Sequence, residues 1–231
     1  MLAYPVSDKP INYDEPVFMQ PKLDGVRCVI QCYNNQIKAY SRTGKEWKNI
    51  DHILFNLKPW FALNPDVILD GELYNHGLKD DFEKIISLVR KTKPTDEDRL
   101  EAAQYVEFHC YDIIDETKTF EERNAFIEQV VPRNHCIKHV PTNLVFRDDD
   151  AKVYHKRNLS NGYEGSILRT NDVYKCGRSW SLRKFKDFSD AEATIIGYLD
   201  GKGKRTGTLG KFIMMDDNGV EFGCPPGKGY T

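Results

Sequence analysis

Short runs rich in Val, Ile, Tyr and Phe recur along the chain, mostly separated by Gly, Asp, Asn or Pro. RCVIQCY (27–33), QIKAYSR (36–42), DVILDGELY (66–74), YVEFHCYDII (105–114) and CIKHVPTNLVF (136–146) have the length and composition of strands. GSILRT (165–170), LRKFKDF (182–188), AEATIIGYL (191–199) and KFIMMDD (211–217) continue the series. Three stretches follow a helical period instead. DDFEKIISLVR (80–90) places Phe82, Ile85, Ile86 and Val89 on one face behind an acidic first turn. TFEERNAFIEQVV (119–131) offers Thr119 as N-cap with Glu122 three residues on. VYHKRNLSNG (153–162) reads as a third helix closed near Gly162. The pattern predicts an α+β domain with antiparallel sheets flanked by helices over residues 1–188. From 189 to 231 only alternating strands and Gly-rich turns remain, which predicts the opening of a small β-barrel. About forty residues are too few to finish one, so this second domain is expected to be incomplete.

The bulk composition narrows the class. At 231 residues, 40% hydrophobic and 29% charged, the chain can build a core and is ordinary for a globular protein. No run of about eighteen apolar residues suggests a membrane span, and the N-terminus has no secretory pattern. The six cysteines form no CxxC pair and complete no zinc spacing, so they are expected as reduced thiols in a cytosol-like compartment. A net charge of −2 argues against coating nucleic acid through the overall field, yet cations are segregated. Residues 152–186 carry nine Lys or Arg and only two acids, Glu164 and Asp172, and GKGKRTG (201–207) forms a second basic cluster. Either cluster alone is equally the mark of a solvated face.

Candidate chemistry gathers around FMQPKLDGVRCVI (18–30), where two apolar runs flank Lys22, Asp24, Gly25 and Arg27. Asp-Gly between strands is also the ordinary signal of a surface hairpin. In extended backbone Lys22 and Asp24 would face the same way. A lysine is a nucleophile only when neutral, and Arg27, Lys184 and Lys186 are cations that could favour that form while binding phosphate oxygens. The set therefore suits attack on phosphorus. Asp70 and Glu72 end an apolar run, with Glu72 placed to meet a ribose hydroxyl or a divalent ion, and Glu164 in YEGSILR is a second metal candidate. In LRKFKDF, Lys184 and Lys186 share one face and Phe185 takes the other. Tyr111 could stack on a base or simply pack in a core. Arg42, in YSRTGK, is suited to phosphate.

KLDGVR, SRTG, DGELY, FHCYDII, YEGSILR and LRKFKDF, in this order over residues 20–188, resemble the motifs of nucleotidyltransferases that form a covalent lysyl-nucleotide. These are the DNA ligases, RNA ligases and mRNA capping enzymes. DAEATIIGY and GKGKRTGTLG are similar to the opening of the ligase OB-fold, and only 21 residues precede Lys22. The resemblance is thus strongest to small ATP-dependent DNA ligases of viral or bacterial type.

The resemblance implies an enzyme that seals 5′-phosphate/3′-OH nicks in duplex DNA through lysyl-AMP and adenylated DNA. Lys22 would take AMP from ATP, with Asp24, Arg27, Lys184 and Lys186 as the other catalytic groups. Gln20, Lys22, Arg27, Arg42, Glu72, Tyr111, Glu164, Lys184 and Lys186 would bind the nucleotide, with Tyr111 stacked on adenine. Glu72 and Glu164 would hold Mg²⁺, with Mn²⁺ as a substitute. It further implies a monomer acting in the cytoplasm of a bacterium or a virus-infected cell, with nicked DNA and ATP as partners and no membrane. Two alternatives stay open: an RNA ligase or capping guanylyltransferase, and a nick-binding module without catalysis. Relatives close the OB domain with a basic motif that meets the leaving pyrophosphate. None precedes Thr231: a chain that ends there is expected to self-adenylate slowly, and a longer parent is expected to carry the motif downstream.

Overall fold

A computed structural model describes residues 1–186 and 192–226. The chain divides into two compact units, Met1–Lys186 and Asp187–Thr231. The expected boundary at 188/189 lies outside the described residues.

Two five-stranded sheets build the first unit. One runs β1 (Leu2–Pro5), β10 (Arg178–Phe185), β9 (Gly165–Thr170), β2 (Val17–Lys22), β8 (Asn143–Val145). The other runs β4 (Gln36–Tyr40), β3 (Val26–Tyr33), β5 (Leu69–Tyr74), β6 (Glu107–Ile113), β7 (Ile137–His139). The sheets are mixed rather than purely antiparallel, because β1 runs parallel to β10 and β7 parallel to β6. Five helices accompany them: α1 (Asp51–Leu63), α2 (Phe82–Val89), α3 (Asp96–Tyr105), α4 (Phe120–Val130) and α5 (Asp148–Ser160).

The two apolar runs around Lys22 do become strands, but they do not pair. β2 lies between β9 and β8 in the first sheet, and β3 between β4 and β5 in the second. Leu23-Asp24-Gly25 is the step from one sheet to the other, not a hairpin turn. Gly25 is required there by close approach. A Cβ would sit 2.5 Å from the Leu73 carbonyl oxygen and 2.7 Å from Cγ of Glu72. The run 136–146 likewise splits, with β7 in the second sheet and β8 in the first. Pro141, which has no N–H for a ladder, sits in the step between them.

The helices at 80–90 and 119–131 form as α2 and α4, the latter with a capping box between Thr119 and Glu122. α5 starts five residues before the expected position 153, because Asp148, Asp149 and Asp150 occupy its first turn, where the helix dipole favours acids. Two helices have weak sequence signals. α1 contains Pro59, ordinarily a breaker, yet it buries Ile53, Leu57, Trp60 and Phe61 on one face. The carbonyl that Pro59 leaves without a donor belongs to Phe55, which is exposed and so open to water. α3 is polar and buries only Ala102, but a Thr95–Asp98 capping box fixes its start.

The larger core lies between the second sheet and α1, α2 and α3, and includes Ile30, Leu57, Leu69, Leu73, Leu88 and Phe108. A smaller core lies between the first sheet and α5, formed by Val17, Met19, Val145, Ala151 and Leu168. Strand alternation then sends Phe18, Gln20 and Lys22 to the opposite face of β2.

In the second unit β11 (Thr194–Asp200), β12 (Leu209–Met215) and β13 (Glu221–Cys224) form one antiparallel sheet. Among the described residues it does not close into a barrel. All six cysteines are free. Among the described residues no helix is long and apolar enough to cross a membrane.

Gly25→Ala should cost about 1–3 kcal/mol, because backbone atoms of a buried strand must give way. Urea unfolding measures it, and an unchanged midpoint would contradict the close approach.

Candidate active site

Residues of both sheets line a cavity of about 250 Å³. Gln20 and Lys22 come from β2, Ile167 and Arg169 from β9, and Leu182 from β10. The opposing sheet supplies Arg27 from β3, Asp70 and Glu72 from β5, and Tyr111 from β6. Arg42 reaches it from the turn after β4. Alternation explains the selection in β2, β3 and β9, where Met19, Cys28 and Leu168, adjacent to these residues, are buried in the cores.

Lys22 ends β2 at the step between sheets, its side chain 24% exposed, and is ion-paired with Glu164. Glu164 also accepts from Nζ of Lys186 at 2.7 Å. Burial tends to raise the Glu164 carboxyl, but the bonds from Lys186 and Lys22 outweigh it and the group lies below the ordinary range. The neighbour of the amine is thus a carboxylate, not the expected ring of cations. Arg27 is instead spent on Asp70, donating from Nε at 2.8 Å and from Nη2 at 2.9 Å. Burial works against the guanidinium, yet the charge and hydrogen bonds of Asp70 raise it overall. Lys22 and Lys186 thus share one carboxylate, that of Glu164.

Glu72 lines the cavity and makes no hydrogen bond or ion pair among the described residues. Burial, then the charge of Asp70, pushes its carboxyl up to about 8, while Lys22 opposes the shift. Tyr111 turns its hydroxyl to Asp70 at 3.2 Å, and the Arg169 guanidinium lies over its ring, 5.4 Å from the centroid. Arg42 is exposed and makes no ion pair among the described residues.

Three expected members sit differently. Asp24 is exposed and outside the cavity, because β2 ends at Lys22 and the extended geometry that would align the two stops there. Lys184 lies half-buried on the Leu182 side of β10, beyond the cavity lining. Gln20 is 2% exposed, its amide engaged by protein groups. Phe185 faces the α5 side as expected, stacked on His155 at 3.9 Å. The basic stretch 152–186 is not one surface: Arg169 and Arg183 are buried.

The sequence reading missed a second layer beneath the cavity. Asp112 is fully buried and accepts from Arg123 at 2.7 and 3.2 Å and from Arg169 at 2.6 Å. Tyr174 donates to Asp70 at 2.8 Å. A usable signal existed. Asp112 sits beside Ile113 in β6 and Arg169 follows Ile167 and Leu168 in β9, and a charge among such residues needs a partner. What no spacing rule shows is the bulge. Asp70 pairs with Asp112 and Gly71 with Cys110, so Tyr111 is an extra residue in β6. The bulge lets adjacent Tyr111 and Asp112 both serve the side facing the first sheet.

The site is thus a lysine at a small cavity between two sheets, with carboxylates and cations around it. The chain belongs to the ATP-dependent DNA ligase domain family, whose pattern matches residues 1–186. It is 25% identical over 265 aligned positions to the DNA ligase of Enterobacteria phage T6, covering 95% of this chain and 54% of that enzyme. The chain therefore spans about half the length of that curated relative. A solved Lig E DNA ligase, described as binding DNA with a minimal scaffold, superposes with a TM-score of 0.76 at 26% identity. That match covers 98% of this chain and 83% of the other. Chlorella virus DNA ligase-adenylate shares the fold with a TM-score of 0.58 at 24% identity, covering 98% of this chain and 81% of the other.

Two outcomes test this geometry. A Glu72 carboxyl raised from 4.5 to about 8 favours the fold fully below pH 4.5, and that contribution is lost as pH rises through 8. Glu72→Gln cannot ionise, so its melting temperature should gain on the wild type between pH 5 and pH 9, by about 2–4 °C per kcal/mol relieved. Asp112→Ala strands two buried guanidinium groups and should cost about 3–5 kcal/mol in urea unfolding.

Proposed function

We propose that this chain is the nucleotidyltransferase core of an ATP-dependent DNA ligase that seals 5′-phosphate/3′-OH nicks in duplex DNA. The supporting observation is Lys22 itself. It stands at the cavity mouth beside Glu164 and Lys186, inside the segment that matches the ligase family.

The lone pair on Lys22 Nζ attacks the α-phosphorus of ATP. A P–N bond forms, the bond to pyrophosphate breaks, and the amine loses a proton. An oxygen of the nick's 5′-phosphate then displaces lysine from that phosphorus. Finally the adjoining 3′-hydroxyl attacks the activated 5′-phosphate, and AMP leaves. Negative charge spreads over phosphate oxygens in each step, so nearby cations matter more than a covalent partner. Lys186, Arg42 and Lys184 supply that charge from the first unit. Arg27, fixed by Asp70, presents a rigid edge toward ribose or phosphate. Tyr111 offers a ring for the base, and Glu72 an acceptor for a ribose hydroxyl.

A divalent ion fits the donor set. Among the described residues no three acidic, His or Cys side chains cluster as an all-protein cage. Glu72 is unpartnered and Glu164 is close to Lys22, and Mg²⁺ is ordinarily held by one or two carboxylates plus substrate phosphates. Mg²⁺ or Mn²⁺ bound there would neutralise phosphate charge, and its competition for Glu164 would free Lys22. The exposed cations of 152–186, with Lys202 and Arg205, meet duplex backbone without reading sequence, so binding weakens as salt rises.

Intact mass after incubation with ATP and Mg²⁺ should rise by one AMP, and Lys22→Ala should abolish the gain. Joining of a nicked duplex should need the same lysine. An adduct from GTP alone, or DNA binding with no adduct, would sink the proposal.

A further inference from the structure

A second cleft, of about 700 Å³, lies at the edge of the second sheet, between β4, α1 and the stretch 92–94 that precedes α3. Asn35, Gln36, Ile37 and Lys38 all line it. One face of a strand would contribute every other residue. Four in succession mean that the cleft runs along the backbone edge of the strand. That edge is open. β4 pairs with β3 on one side, and on the other the stretch 45–47 covers it only from Ala39 onward, where the Trp47 N–H donates to the Ala39 carbonyl at 2.9 Å. Asn34 and Asn35 both have positive φ, 49° and 59°, which marks a type I′ turn closed by Tyr33 and Gln36. Gln36 is thus bonded to β3, and the N–H and carbonyl of Ile37 point outward along the cleft.

The rest of the lining suits a particular occupant. Ile37, Leu54 and Pro94 are half-buried and apolar, and Phe55 is 77% exposed. Of the two acids in the lining, Glu46 is paired with Lys48 at 2.5 Å and Asp51 with Arg99. Lys38, Lys58 and Lys93 also line the cleft and make no ion pair among the described residues. An open strand edge, apolar ground and three uncompensated lysines thus meet in one place. A nucleic acid would use the lysines but has no alternating N–H and C=O groups to pair with the edge. A second copy of the chain would bring the same three lysines against these.

We infer that the cleft takes an extended acidic segment of a partner protein, which adds a strand to β4 and sets its carboxylates on Lys38, Lys58 and Lys93. Ile37 and Leu54 pack against the core on the helix side of the second sheet, whereas the cavity beside Lys22 lies on the other face. The segment docks without covering that cavity, and the inference does not depend on the chemistry proposed there.

The test uses the whole chain and a short labelled peptide in which glutamate alternates with valine. Fluorescence anisotropy should show saturable binding. The Lys58→Glu/Lys93→Glu variant should weaken it by about tenfold or more. Both lysines are exposed and lie outside the Lys22 cavity, so the variant should keep the wild-type melting temperature and any Lys22 adduct. Hydrogen exchange at the Ile37 amide should slow when peptide is bound, which charge attraction alone would not cause. The same peptide with its amides N-methylated should not bind. Absence of saturable binding overturns the inference and leaves the lysines as protection of a bare edge. So does an unchanged affinity in the double variant, an Ile37 amide that exchanges as fast as before, or equal binding of the N-methylated peptide. A single-stranded oligonucleotide that displaces the peptide and is itself lost in the double variant would overturn it in favour of a nucleic-acid surface.

Discussion

Two guanidinium groups and one carboxylate, Arg123, Arg169 and Asp112, lie together where the sheets face each other, none more than 5% exposed. Arg169 belongs to β9 of one sheet, Asp112 to β6 of the other, and Arg123 to α4. Charges removed from water are costly unless paired and fully hydrogen-bonded. The surrounding backbone completes the pairing, with Arg123 donating to the carbonyls of Lys118 at 2.6 Å and Asp172 at 3.1 Å. Apolar packing could hold two sheets together in several registers. This set is satisfied in one, and the cavity above it inherits that single register.

The second ionic layer, Asp70 with Arg27, Tyr111 and Tyr174, extends the same constraint toward the cavity. Burial, and then the Asp70 carboxylate on the same face of β5, pushes the Glu72 carboxyl up to about 8. Two acids on one strand thus have different surroundings: Asp70 is engaged with Arg27, and Glu72 lines the cavity without a partner among the described residues.

Lys22 shows how the fold changes a charge environment read from sequence. The sequence suggests an amine surrounded by cations. In the fold those cations are committed, Arg27 to Asp70 and Lys186 to Glu164, and Glu164 also holds the lysine. An ion pair at the cavity fixes the position of the Lys22 amine.

Local physics made much of this legible along the chain. Short β-branched and aromatic runs marked most strands, the Thr119–Glu122 spacing marked α4, and alternation in LRKFKDF placed Phe185 opposite the lysines. The residues that gather at the cavity mouth, Lys22, Glu72, Tyr111 and Glu164, could be named from their motifs. Tertiary structure decided the rest. Period-2 alternation cannot show that β2 and β3 belong to different sheets, because both pairings satisfy it equally. It also fails at Tyr111, where one inserted residue inverts the facing of everything after it. The partners of Asp112 and Asp70 come from strands and helices distant in sequence, and only packing of the two sheets brings them within hydrogen-bond reach. Residue types and strand periods are local properties. Which charge neutralises which is settled by burial, and burial exists only in the folded chain.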